Sequence, residues 1–185
     1  HRRGHLDREN EIERPKREGV RRPHFDQRDW KKLLGTFVPW LEEGRGISTS
    51  IFRDRKMLCH YIVILAYTGI RVGEARGIRW SDLDTEPSDD PNKPYLIIHV
   101  KGKTGSREVV AQIPEVKQGF ELLWKSRCAE LSVGEPDMNE HVFCHFDGRP
   151  VHSRKKGFAN VLQKAGVETD RNGEQRTIYS LLHTS

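Results

Sequence analysis

Beyond Phe25 the apolar positions fall at helical spacing: Trp30, Leu33, Leu34, Phe37 and Leu41 follow Asp26, which can cap a first turn, with Asp29 three residues on in capping-box style. This predicts a helix over 26–43 with Trp30 and Trp40 in the core, then a loop over 44–50. A second helix is predicted over 52–68, ending in the apolar run Tyr61-Ile62-Val63-Ile64-Leu65-Ala66. Thr68-Gly69 breaks it, and a new helix over 71–79 puts Arg71, Glu74, Ala75 and Ile78 on one face. Residues 85–94 are acidic and rich in proline, a loop that no helix crosses. Residues 95–100 and 107–113 read as two strands around a turn at 102–106, a β-hairpin. Pro114 opens a helix over 115–131 that buries Val116, Phe120, Leu123, Trp124 and Leu131. Residues 141–144 read as a short strand and 146–150 as a turn. A last helix over 153–165 packs Phe158, Val161 and Leu162, exposes Arg154, Lys155 and Lys156 near its start, and ends at Gly166. The fold class expected is mainly α with a small antiparallel β-sheet (α+β).

Composition narrows the partner more than the fold. With 185 residues the chain suits one domain, and a net charge of +5 with a pI near 9.2 leans toward a polyanion. Residues 1–23 carry eight Lys or Arg against five acids and almost nothing apolar, the signature of a solvated linker. Cys59, Cys128 and Cys144 contain no CxxC pair, so reduced thiols in a reducing compartment are expected. His141, Cys144 and His145 lie close together but lack a second ligand pair at zinc spacing, and His60 shares its helix face with no other ligand, so no metal and no cofactor is expected. No apolar run reaches the roughly 20 residues that span a bilayer, and the expectation is a cytoplasmic protein with no membrane partner. The first residue is His1, so the chain is expected to start downstream of its gene's own start.

The candidate chemistry centres on Arg71. Held by Glu74 one turn on, its planar fork of donors can take two phosphate oxygens at once. The same spacing also fits an ordinary Arg–Glu pair on a helix surface. Lys101, Lys103 and Arg107 cluster at the hairpin tip, where cations are either simply solvated or placed against phosphates.

The stretch Thr68-Gly69-Ile70-Arg71-Val72-Gly73-Glu74, followed by Trp80-Ser81-Asp82-Leu83-Asp84, resembles the first-arginine box of the tyrosine recombinase family, the phage-integrase-like enzymes. The hairpin resembles the one that delivers that family's catalytic lysine, with Lys103 the best match and Lys101 the fallback. Residues 176–185 resemble the second box, in which a His or its substitute is followed three residues later by the second arginine and then His-Thr. Tyr179 stands at the His position, Leu182 at the arginine position, and His183-Thr184 keeps the register. The likeness implies that 1–23 is a linker from an absent core-binding domain and that 24–185 is a partial catalytic domain. It implies double-stranded DNA as the partner, contacted also by Lys101, Arg107, Arg154, Lys155 and Lys156, and a parent enzyme tetrameric on DNA.

The reaction implied is a metal-free transesterification. A Tyr hydroxyl attacks a DNA phosphodiester, a 3′-phosphotyrosyl bond forms, and the 5′-oxygen leaves with a proton from the lysine. Two arginines stabilise the charge on the non-bridging oxygens. Arg71, Lys103 and Tyr179 fit three of these roles. Leu182 carries no donor for the fourth, and the family's nucleophilic Tyr falls beyond Ser185, so the chain as given is expected not to cut DNA. Three readings stay open: a piece of an active recombinase, a degenerate remnant that binds DNA without chemistry, and a basic helical adaptor with no nucleic-acid role.

Overall fold

Asp26 accepts a hydrogen bond from the Asp29 amide at 2.8 Å and so opens α1 (Gln27–Ile47), which buries Trp30, Leu33 and Trp40. The computed structural model describes residues 22–87, 90, 95–103, 105–132 and 134–183. The proposed linker therefore lies, but for its last two residues, outside the described residues. α1 does not give way to a loop at Gly44. A Cβ at that position would sit 2.7 Å from Cδ of Arg55, so the glycine is a packing site rather than a stop. One residue, Ser48, makes the whole connection: its amide donates to the Gly44 carbonyl, closing α1, while its hydroxyl accepts from the Ile51 amide and starts α2 (Thr49–Thr68).

α2 carries the core, burying Met57, Leu58, Cys59, Tyr61, Ile62, Ile64 and Leu65. It stops because Gly69 adopts φ 64°, a left-handed cap that donates back to the Leu65 carbonyl. The next helix, α3 (Val72–Ala75), is much shorter than the 71–79 expected. Gly77 and Ile78 donate to the Glu74 and Ala75 carbonyls, which tightens the chain and turns Ile78 inward. The Ile78 carbonyl is then free to accept from Val142.

After a 3-10 turn at Trp80–Asp82 come β1 (Leu83–Glu86), β2 (Tyr95–Gly102) and β3 (Gly105–Ala111), an antiparallel sheet in the order β1-β2-β3. The hairpin of β2 and β3 was expected, and β1 was not. Its four residues pair Leu83 with Ile98 through Glu86 with Tyr95, at the start of what reads as loop. On β2, Leu96, Ile98 and Val100 face the main core. α4 (Pro114–Leu131) begins at its proline and lies against α2. The strand expected at 141–144 is only two isolated bridges, Arg79 with His141 and Cys144 with Pro150. α5 (Lys155–Ala165) packs Phe158, Val161 and Leu162 against the helices, Gly166 caps it, and a 3-10 segment, Ile178–His183, ends the described chain. The fold is mainly helical with a small three-stranded antiparallel sheet.

Candidate functional site

The Gly69 cap sends the chain into extended backbone at Arg71 (φ −68°, ψ 147°) just before α3. That puts the Arg71 amide, not its side chain, against Glu74: the amide donates to Oε2 at 2.9 Å, while the guanidinium is 68% exposed and 3.9 Å from Oε1. Glu74 itself is 6% exposed. Burial opposes its charge, but the Arg107 guanidinium and the Arg71 amide outweigh that cost and hold its carboxyl below the usual range. The helix-face pairing expected from the spacing is thus replaced by a cap. Glu74 anchors the backbone and leaves the Arg71 donors facing solvent.

The same carboxylate reaches the sheet. Arg107 on β3 donates to Oε2 at 2.9 Å, and a Cβ on Gly102 of β2 would come within 3.0 Å of Oε1. β2 and β3 pair as far as Gly102 with Gly105, so the Lys103 turn begins where the strand leaves Glu74. Lys101 and Lys103 are exposed. Arg107 is half-exposed and its Nη2 is held by Glu74, which the sequence does not reveal.

The final 3-10 segment orders the second group. With about three residues per turn, residues three apart stand one above the other. Ile178 and Leu181 are buried on one side, whereas Tyr179, 50% exposed, and Leu182, half-buried, share another. Ser180 accepts from the Thr177 amide and fixes the turn. Tyr179 lies within electrostatic reach of Tyr61, whose hydroxyl donates to the Val72 carbonyl next to Arg71 at 3.4 Å. Burial pushes the Tyr61 phenol up to about 12, so it stays a neutral donor. Tyr61 thus holds the Arg71 turn through the Val72 carbonyl, and Glu74 holds the same turn to the hairpin. Leu182 offers methyl groups and no donor.

The basic residues near α5 divide. Lys155 and Lys156 are exposed as expected, but Arg154 is not. Its guanidinium lies 5.1 Å over the Tyr61 ring and 5.7 Å over Phe143, and burial lowers its pKa to about 10, still charged at neutral pH. Arg176, the guanidinium nearest Leu182 in the sequence, is fully engaged: it donates to the His24 carbonyl at 2.9 Å, the Val167 carbonyl at 3.0 Å and Asp29 at 2.7 Å, and stacks over Phe25. Asp29 thus accepts from Arg176 instead of completing a capping box. Neither burial was legible from the sequence, since the aromatic and carbonyl partners come from distant segments. Burial lowers the pKa of His60 to about 4, with Lys56 adding to the shift, which makes it a neutral structural residue. Among the described residues no group of three His, Cys, Asp or Glu is placed to hold a metal, and no helix is long and apolar enough to cross a membrane.

No protein-family model and no curated protein matches the sequence. Fourteen chains of solved structures match in fold. The architecture is that of a tyrosine recombinase structure. One such structure is the XerH site-specific recombinase bound to its difH substrate in a pre-cleavage complex, with a TM-score of 0.59 and 21% identity over 88% of this chain. The chain spans 41% of the length of that recombinase. At this identity the likeness is one of fold.

Proposed function

We propose that this chain is a tyrosine-recombinase-type DNA-binding domain whose Arg71 and Lys103 meet the scissile phosphate of a duplex, and that with Leu182 in place it holds DNA without cutting it. The observation that carries the reading is the double use of Glu74. One buried carboxylate joins the Arg71 turn to the hairpin that bears Lys103, the pair the phosphoryl chemistry needs, while both cations remain open to solvent. The fold shared with a recombinase that was solved on its DNA substrate supports the same partner. In the parent reaction Arg71 would stabilise charge on the non-bridging oxygens, Lys103 would give its proton to the leaving 5′-oxygen, and Tyr179 would orient the phosphate. Loss of one preorganised donor, here at Leu182, costs roughly 10²–10³ in rate. Leu182 favours a DNA-binding remnant over a working enzyme.

The test is fluorescence anisotropy with a labelled duplex at two salt concentrations. A Kd of roughly 10⁻⁴–10⁻⁶ M that weakens steeply with salt is expected. Arg71→Ala should weaken it and Leu182→Arg should tighten it, with no covalent protein–DNA adduct in denaturing gels. Absence of binding at low salt, or an adduct formed with Leu182 in place, would refute this function.

A further inference from the structure

We infer that Arg107 is a positioning residue for the Lys103 turn, acting through Glu74, and not a contact to DNA in its own right. The inference rests on the function proposed above and adds a coupling between two residues of that site. Three observations converge on one carboxylate. Arg107 donates from Nη2 to Glu74 Oε2 at 2.9 Å, the oxygen that also accepts from the Arg71 amide at 2.9 Å. Glu74 is buried and cannot turn to follow a mobile partner. On the opposite strand Gly102 leaves room for Oε1, which any side chain there would contest at 3.0 Å.

The register explains what this does. Arg107 pairs with Val100, which is 1% exposed in the core, and two residue pairs later the hairpin ends at Gly102 and Gly105. A two-stranded hairpin tip is marginally stable by itself, so its turn wanders unless something fixes both strands. Here Val100 ties one strand to the core, while Arg107 ties the other to the turn that carries Arg71. The tether lies within four residues of Lys103 and sets its placement relative to Arg71. Breaking it leaves Lys103 chemically intact and spatially loose.

The experiment crosses Arg107→Ala with Lys103→Ala in the full chain and reads two quantities. The first, independent of DNA, is amide hydrogen exchange: Arg107→Ala should speed exchange across residues 95–103 and 105–111 and leave α2 and α4 protected as before. The second is the salt slope of duplex binding. Lys103→Ala should reduce its magnitude by about 1 in the parent chain, as expected for one phosphate contact, and by about zero once Arg107 is Ala. Glu74→Ala keeps Arg107 and removes its anchor, so it should abolish the Lys103 contribution just as Arg107→Ala does. A residue that simply touched DNA would instead bind better once released from Glu74. Unchanged exchange in Arg107→Ala, or additive effects of Arg107→Ala and Lys103→Ala on binding, overturns the positioning role. Faster hairpin exchange in a parent chain that binds no DNA at any salt leaves the tether standing and overturns the function it is meant to serve.

Discussion

Two clusters of arginine and glutamate sit in this fold, and they use their donors in opposite ways. Around Arg127 the charges are closed on one another. Its Nε and Nη2 grip Glu140 at 2.7 and 2.8 Å, Nη1 meets Glu130 and the Phe146 carbonyl, and Arg53 takes both oxygens of Glu130. Around Glu74 the order is reversed: the carboxylate is buried and satisfied, while Arg71 projects into solvent with its guanidinium 3.9 Å from Glu74 Oε1. A guanidinium whose nitrogens all have acceptors supports the fold, whereas one tethered by its backbone keeps its fork for a ligand. Spacing along the chain does not distinguish the two cases, because in both an arginine stands three residues before a glutamate, Arg127 with Glu130 and Arg71 with Glu74.

The contrast breaks most sharply at Arg127. Arg127→Ala strands Glu140 in a partly buried site and leaves Glu130 to Arg53 alone, and should cost about 3–5 kcal/mol in urea unfolding, with unchanged DNA affinity for the protein that remains folded. A cost below about 1 kcal/mol would show the network to be no more than a surface pair. Arg176 tests the same idea near the candidate site. Arg176→Ala should lose about 2–4 kcal/mol through three hydrogen bonds, one buried and two partly buried, and leave the salt slope of DNA binding intact. A lower slope would place Arg176 at the phosphate.

His60 supplies a pH test. Its folded pKa of about 4 lies below the ordinary value of 6.5, so the unfolded chain takes up the proton first as the pH falls. Stability present above pH 6.5 should therefore decline between about 6.5 and 4, by on the order of 3 kcal/mol from this residue. Thermal unfolding of His60→Gln should show that part of the decline removed. The smallest effect on stability belongs to Arg71: Arg71→Ala should shift unfolding by no more than about 0.5 kcal/mol while weakening duplex binding, the inverse of the signature at Arg127. Equal losses of stability and binding at both positions would erase the distinction.

Much of this architecture is legible in the sequence where burial follows local periodicity. The Trp30–Leu33 and Tyr61–Leu65 patterns, the Gly69 break, the hairpin and the Gly166 cap all report on neighbours within a turn or two. What escapes is set by distant partners. Gly44 reads as a helix end until Arg55 fills the space a side chain would need. β1 is short, polar and exposed along most of its length, so it has no alternation to betray it and exists because β2 offers a partner. Arg154 reads as an exposed cation and nothing near Arg176 in the sequence marks it as buried, since the rings of Tyr61, Phe143 and Phe25 that cover them belong to other elements. For the candidate site, the Arg71 turn and the exposed Lys103 were legible. The link between them was not, because it depends on a β3 side chain folding back onto α3.

The Arg176 contact carries one more consequence, for the order in which the chain is made. The carbonyl it binds belongs to His24, 152 residues upstream. As the polypeptide leaves the ribosome, α1 and α2 emerge early, yet the entry to α1 stays unfastened until Arg176 has cleared the exit tunnel. Vectorial synthesis thus makes this clasp form late, well after α1 and α2 have both emerged and can pack on each other.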